Sequence, residues 1–145
     1  DYTRQLFDLT TGYQITPKFY LGLNAAYGQY KFLTKNGDDT DNISNLYGST
    51  SPSWGGVAVY GNYAISDVIG IGARYEHFKD KNYVRYLGSI NNSLTLTMPI
   101  TLAAGKLILK PEFRTDTSPD KFYEDKNGDA TNSQSTFGMA FIYKY

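Results

Sequence analysis

The sequence predicts an all-β chain, an antiparallel up-and-down β-barrel that crosses a membrane with its strands. Three observations carry that expectation. Apolar residues recur at every second position through most of the 145 residues, which is the period of a two-faced strand and not of a helix. The face opposite the apolar one mixes Gly, Asn and Thr with charges of both signs, as the wet interior of a membrane barrel does. The segments joining the strands alternate between tight turns and long polar loops, the habit of outer-membrane barrels.

The first strand, Arg4 to Ile15, sets Phe7, Leu9, Tyr13 and Ile15 against Arg4, Asp8, Thr10, Gly12 and Gln14. From Lys18 to Phe32, Phe19, Leu21, Leu23, Ala25 and Tyr27 alternate with Tyr20, Gly22, Asn24, Ala26 and Gly28. A third strand from Trp54 carries Val57, Val59, Tyr63 and Ile65 on one side, and Gly56, Ala58, Tyr60 and Asn62 on the other. The fourth sets Ile69, Ile71, Ala73 and Tyr75 against Gly70, Gly72, Arg74 and Glu76. In the fifth, Leu94, Leu96, Met98, Ile100 and Leu102 alternate with Ser93, Thr95, Thr97 and Thr101. The sixth opposes Leu107, Leu109 and Phe113 to Lys110, Glu112, Arg114 and Asp116. The last opposes Phe137, Met139, Phe141, Tyr143 and Tyr145 to Thr136, Gly138, Ala140 and Lys144. Seven strands are visible, most of them reaching the roughly 9–11 residues that a tilted crossing needs.

Composition narrows the alternatives. The longest unbroken apolar run is five residues, Met139 to Tyr143, far short of the roughly 20 of a spanning helix. Lys plus Arg balances Asp plus Glu at 14 each, which removes the basic footprint of a nucleic-acid binder. There is no cysteine, so disulfides and cysteine-based metal or nucleophile chemistry are excluded. A soluble lipid-binding barrel would turn its apolar face inward. Here the apolar face carries aromatics near strand ends, as an interfacial girdle does. Tyr13, Phe19, Tyr63 and Tyr143 are the girdle candidates, with Tyr145 beside them.

The tight connections are Gln14–Lys18, Ser66–Val68 and Ala103–Lys106, with Pro17 and Gly105 marking turns. The long ones are Thr34–Ser53, Lys79–Asn91 and about Thr117–Ser133. With the short turns on the periplasmic side, the first strand runs from outside to inside. An odd strand count then leaves no antiparallel closure, whereas single-chain bacterial barrels have even counts. The expectation is therefore that residues 1–145 are one outer-membrane barrel domain, the C-terminal part of a larger barrel whose N-terminal strands precede it. A complete chain would instead close with seven or eight strands, drawing on its N-terminal residues.

Several stretches carry a family resemblance. They are Arg4 through Asp8 to Gly12-Tyr13-Gln14, the run Tyr20 to Gly28, Trp54 to Tyr60, Arg74 to Asp80, Pro111 to Asp116, and the ending Phe137 to Tyr145. Together they resemble the C-terminal portion of the OmpL-like β-barrel porin family of Gram-negative outer membranes. The resemblance implies an outer-membrane location and a porin role, and it supplies no catalytic residues.

Candidate residues follow from the two faces. Arg4, Arg74, Lys110, Arg114 and Lys144 oppose Asp8, Glu76, Asp80, Glu112 and Asp116 on the polar parity. Residues at i, i+2 and i+4 share one side of a strand, so these charges would line the lumen. There they either set ion selectivity or pair with one another to fill a polar interior. Phe137, Met139, Phe141, Tyr143 and the terminal Tyr145 match a C-terminal assembly signal, a strand that the barrel-assembly machinery captures by strand addition. The alternative is a lipid-facing strand end with interfacial aromatics.

Other motifs carry less. Asp125 to Asp129 echoes a calcium loop, but Ala130 and Thr136 stand where an EF-hand needs Gly and an acidic residue. Asp38, Asp39 and Asp41 read as solvated loop charge, and no metal or cofactor is expected. His77, the sole histidine, has no serine nucleophile motif beside it and reads as interfacial, so no enzymatic activity is expected. Pro99 and Pro111 fall inside strands, where they remove ladder donors and mark bulges or edges.

The function expected is passive diffusion of small hydrophilic solutes through an outer-membrane pore. The alternative is a narrow structural or interaction barrel acting through its extracellular loops. Outer-membrane lipids, lipopolysaccharide, the barrel-assembly machinery and other outer-membrane proteins are the expected partners, and nucleic acid is not.

Overall fold

The structure, a computed structural model, describes residues 2–32, 51–80, 82–85 and 87–145. It is an antiparallel sheet whose strands follow one another in chain order. These are β1 (Tyr2–Thr16), β2 (Phe19–Phe32), β3 (Ser53–Ala64), β4 (Gly70–Lys79), β5 (Ile90–Thr97), β6 (Ile100–Leu102), β7 (Leu107–Thr117) and β10 (Ser133–Tyr143). The path is β1-β2-β3-β4-β5-β7-β10, with the short β6 also on β7. Between β7 and β10, β8 (Tyr123–Glu124) and β9 (Ala130–Thr131) form a small hairpin.

The expected fifth strand differs. It is broken into β5 and β6 at Met98-Pro99, because Pro99 has no N–H for the ladder. The break lies against Pro111, which remains inside β7. One bond survives there, from the Met98 N–H to the Pro111 carbonyl at 3.0 Å. The Pro99 carbonyl accepts from Gly70 at 2.9 Å, and Thr101 donates to Val68 at 2.7 Å. Two prolines thus face one interruption, and the chain continues into β6 along the same partner.

Register keeps the two faces separate over the whole sheet. Leu9 pairs with Ala25, Ala25 with Val57 and Val57 with His77. Farther along, Ala73 pairs with Leu96, Leu96 with Phe113 and Phe113 with Phe137. Directly opposed residues share a face, so every apolar set falls on one side. The ladder shifts only once among the described pairs, between Gln14 and Thr16 beside the first turn.

Burial on these faces is inverted relative to a water-soluble sheet. Leu9, Val59, Leu96 and Phe137 are exposed, whereas the opposite face buries Ala58, Ser93, Thr95 and Asp116 to 8% exposure or less. An apolar face turned outward with a polar face turned inward is the arrangement of a barrel wall in lipid.

The tight turns are held by side-chain hydroxyls. Thr16 Oγ1 accepts from the Lys18 and Phe19 N–H groups at 3.3 and 3.0 Å. Ser66 Oγ does the same for Val68 and Ile69 at 3.2 and 3.1 Å. The third turn uses backbone conformation: Ala103, Ala104 and Gly105 have φ of 51°, 53° and 87°.

β1 is paired on one side only, by β2, and β10 by β7, among the described residues. Alternation along the path makes β1 and β10 run in the same direction, so these two edges cannot pair with each other antiparallel.

The third turn makes a stability test. Nothing lies within 4 Å of a Cβ placed on Gly105, so Gly105→Ala meets only the left-handed penalty, about 1–2 kcal/mol. Ala104→Gly removes the same strain and should stabilise by up to about 1 kcal/mol. Urea unfolding of the folded chain in lipid vesicles, followed by Trp54 emission, reads both; equal midpoints would show that the turn is not strained.

Candidate functional site

The inner face is the candidate site, and β4, β5 and β7 assemble its charges. Arg74 pairs in register with Thr95, and Thr95 with Arg114. One rung along, Glu76 pairs with Ser93, and Ser93 with Asp116. Two residues of strand separate these rungs by roughly 6.6 Å, and skipping one strand separates the like charges by roughly 9.6 Å. Two guanidiniums therefore stand beside two carboxylates, followed along β7 by Glu112 and then Lys110.

Each ion pair closes along its own strand. Arg74 Nη2 pairs with Glu76 Oε2. Arg114 Nη2 meets Asp116 Oδ1 at 2.9 Å, and Arg114 Nε reaches both carboxylate oxygens at 3.0 and 3.1 Å. Ser93 bridges this second pair, donating to Asp116 Oδ1 at 2.5 Å and accepting from Arg114 Nη2 at 2.9 Å. The Asn91 and Gln134 amides each donate to Asp116 at 3.3 Å. Tyr123, in the β8 hairpin, donates to Asn91 Oδ1 at 2.6 Å. Burial pushes the Tyr123 phenol above its ordinary value, and the Asp116 carboxylate adds to that rise.

The neighbouring half of the inner face is aromatic. Tyr60 lies over Gly22, Trp54 over Gly28 and Tyr20 over Gly12, so that a Cβ at any of these glycines would overlap the ring. The glycines are what allow large rings to lie flat against the sheet. The Tyr20 and Tyr60 centroids are 6.2 Å apart, and those of Trp54 and Phe78 are 5.9 Å apart. Arg85 stacks over Trp54 at 4.8 Å and Arg4 over Tyr30 at 4.9 Å.

The expected charged set is only partly brought together. Arg74, Glu76, Lys110, Glu112, Arg114 and Asp116 share the wall of β4 and β7, and Glu112 accepts from the Thr97 hydroxyl at 3.2 Å. Arg4 stands apart on β1, whereas Asp8, also on β1, lines one hollow of the inner face with Arg74 and Glu76. Lys144 lies beyond the end of β10, its N–H bonded to the Lys106 carbonyl at 2.8 Å.

Asp80 is a correction. It is not on the lumen wall but in the turn after β4, fully buried. Its carboxylate accepts from the backbone N–H groups of Val84, Arg85 and Leu87 at 2.8, 2.8 and 3.1 Å. The strand ends at Lys79, so parity no longer sets the direction of the next side chain. Sequence reasoning also missed a latch at this end, where Ser89 hydrogen-bonds to Asp120 and, at 3.1 Å, to Ser118. No periodic signal marks such loop contacts.

On the outer face, Phe137, Met139, Phe141 and Tyr143 are all exposed along β10, and Tyr145 lies beyond it. Phe19 and Tyr63 are direct cross-strand partners at the tight-turn end. Tyr13 on β1 and Tyr143 at the end of β10 lie towards that same end. Towards the long loops, Phe7 pairs with Tyr27. His77 Nδ1 meets Asn92 Oδ1 at 2.8 Å, where the Tyr75 hydroxyl also donates at 3.2 Å.

In the β8–β9 hairpin, Asp125 Oδ1 accepts from the N–H groups of Asn127 and Asp129 at 2.7 and 3.0 Å. Among the described residues, no group of three or more His, Asp or Glu side chains could hold a metal ion. Asp38, Asp39, Asp41 and most of the Thr34–Ser53 loop lie outside the described residues.

Comparison with known proteins identifies a family. The family described as "Putative beta-barrel porin-2, OmpL-like" matches residues 1–145. No curated protein and no solved structure matches the chain.

The two ion pairs should differ in their contribution. Asp116→Asn leaves Arg114 without its carboxylate inside a buried network and should cost about 1–3 kcal/mol. Glu76→Gln, in the more exposed pair, should cost less than about 1 kcal/mol. Urea unfolding in vesicles measures both, and equal losses would refute the ranking.

Proposed function

Since the chain belongs to the OmpL-like β-barrel porin family, we propose that it forms part of an outer-membrane pore through which small hydrophilic solutes diffuse passively. The observation that carries this reading is the polar face turned inward, with Arg74, Glu76, Glu112 and Arg114 keeping part of their side chains accessible. A wall of this kind replaces some of a solute's hydration with fixed donors and acceptors, so polar molecules enter without losing all their solvation. Flux then follows the concentration gradient, and no residue need act as an acid, base or nucleophile.

The inward charges on β4 and β7 balance, Arg74, Lys110 and Arg114 against Glu76, Glu112 and Asp116, whereas Lys79 at the end of β4 has the outer parity. They alternate in sign along the strands and leave little net field for either ion sign. The outer face meets the bilayer and the lipid part of lipopolysaccharide. The barrel-assembly machinery reads β10 through the outward row Phe137, Met139, Phe141 and Tyr143, which ends near Tyr145.

Two measurements test this reading. The purified whole protein that contains these strands, reconstituted in planar bilayers, should conduct, with cation and anion permeabilities near each other. Arg74→Glu combined with Arg114→Glu should shift the reversal potential towards cation preference. A chain that inserts but never conducts would favour a closed barrel working through its loops. Separately, deleting Tyr145 should lower the amount of folded protein in the outer membrane several-fold. Unchanged levels would remove the assembly role of that residue.

A further inference from the structure

Among the charged residues of the wall strands, only Lys31 and Lys79 share the parity of the apolar outer face. Both are exposed at the long-loop end, and neither forms an ion pair among the described residues. The outer face changes character towards that end. Ala73, Leu96, Phe113 and Phe137 make one register line, and all four are apolar. Four residues nearer the long loops, roughly 13 Å along the strands, the line His77, Asn92, Thr117 and Ser133 is polar throughout. The hydrocarbon therefore ends near His77. Lys79 stands two residues farther out, at headgroup depth, where a lysine lays its stem on apolar surface and keeps its ammonium in water.

Beside Lys79 the outer face is grooved. Tyr27 pairs with Gly55 and Gly55 with Lys79, so a glycine separates a ring from a lysine. The gap has a volume of about 550 Å³, with Val57 and His77 on its lipid side and Ser53 and Asn82 towards the loops. Its polar edges are held in place: Asn82 Oδ1 accepts from the Ser53 N–H at 3.3 Å, and His77 Nδ1 is bonded to Asn92 Oδ1 at 2.8 Å. Asp80, the acid next to Lys79 in sequence, is buried and turns its carboxylate to backbone N–H groups. The Lys79 charge is thus left uncompensated at the end of an apolar trough, which complements a lipid with an acyl chain and an anionic head.

We propose that this groove seats one phosphorylated glycolipid of the outer leaflet, with a phosphate on the Lys79 ammonium and an acyl chain over Gly55 between Tyr27 and Val57. The proposal rests on the outer face meeting lipid with the long loops outside. A phosphomonoester carries about −1.5 to −2 charge at neutral pH, more than the single charge of a phospholipid diester. The sugar beneath it brings hydroxyls to Ser53 and Asn82.

The whole protein is folded into phosphatidylcholine vesicles doped with lipid A, with lipid A stripped of its phosphates, or with phosphatidylglycerol. It is then extracted in mild detergent, and native mass spectrometry counts the lipids retained. The expected result is one lipid A per chain, saturable with dose, and little of either control. Lys79→Gln should lower its apparent affinity about fivefold, the effect of one lysine at a charged membrane surface, and Lys79→Arg should restore it. Lys31→Gln should change nothing, because Lys31 does not line the groove. Equal retention of either control lipid, native binding by Lys79→Gln, or an equal loss in Lys31→Gln overturns the proposal. The control lipids decide with the native sequence if Lys79→Gln does not assemble. Conductance of the same preparation separates the two readings. A conducting protein that retains no lipid A keeps the pore and removes the site, whereas lipid A retained without conductance keeps the site and removes the pore.

Discussion

Everything in this sheet depends on the antiparallel ladder holding one register from β1 to β10. Strand side chains have period two, so a slip of a single residue would send a strand's apolar set to the inner face and its polar set to the outer one. In lipid that error is costly twice over, through buried charge outside and apolar surface facing water inside. The pairs from Leu9↔Ala25 through Phe113↔Phe137 carry the same parity across every interface. The one shift is placed at Gln14–Thr16 beside a turn, where it alters no later strand. Between the two edge strands, backbone pairing also leaves few polar main-chain groups for the hydrocarbon to meet, which is the condition for crossing a bilayer at all.

With parity fixed, the inner face divides its work between two halves. On β2 and β3, rings lie flat over glycines and fill space with apolar surface. On β4, β5 and β7, charged side chains are tied to neighbours at i+2 and across strands. The division follows from residue size: a ring needs a glycine opposite it, whereas Arg114 and Asp116 need a small hydroxyl, Ser93, between them. Where the halves meet, the small residues Ala26, Gly56 and Ala58 leave a shallow hollow, with the rings of Trp54 and Phe78 at one end and the Arg74–Glu76 pair at another.

The fold was legible in the sequence because one rule, period two, applies in every strand, and because turn residues such as Gly105 sit where the chain reverses. The inner position of Arg74, Glu76, Arg114 and Asp116 was legible for the same reason. Legibility stopped where the ladder stops. Asp80 follows Glu76 by four residues and keeps the right parity, yet β4 ends before it and its carboxylate turns to the backbone of the next residues. The break at Pro99 was visible as a lost donor, but the bonds that carry the sheet past it, Gly70 to the Pro99 carbonyl and Met98 to the Pro111 carbonyl, are long-range facts.

The two ends of the sheet are built from different chemistry, and the difference fits what each must do. At the tight-turn end, the hydroxyls of Thr16 and Ser66 each take two backbone N–H groups. Single neutral acceptors suffice there because each turn spans only a few residues. At the long-loop end, more N–H groups must be gathered over longer chain, and carboxylates do it: Asp80 takes three and Asp125 takes two. Charge-assisted bonds are roughly twice as strong as neutral ones. A carboxylate with several donors can therefore hold a loop in shape without a hydrophobic core beneath it. Ser89, Ser118 and Asp120 then join the β4–β5 and β7–β10 connections to each other. Among the described residues, the long-loop end is thereby held by connections that are bonded to each other and not only to their own strands.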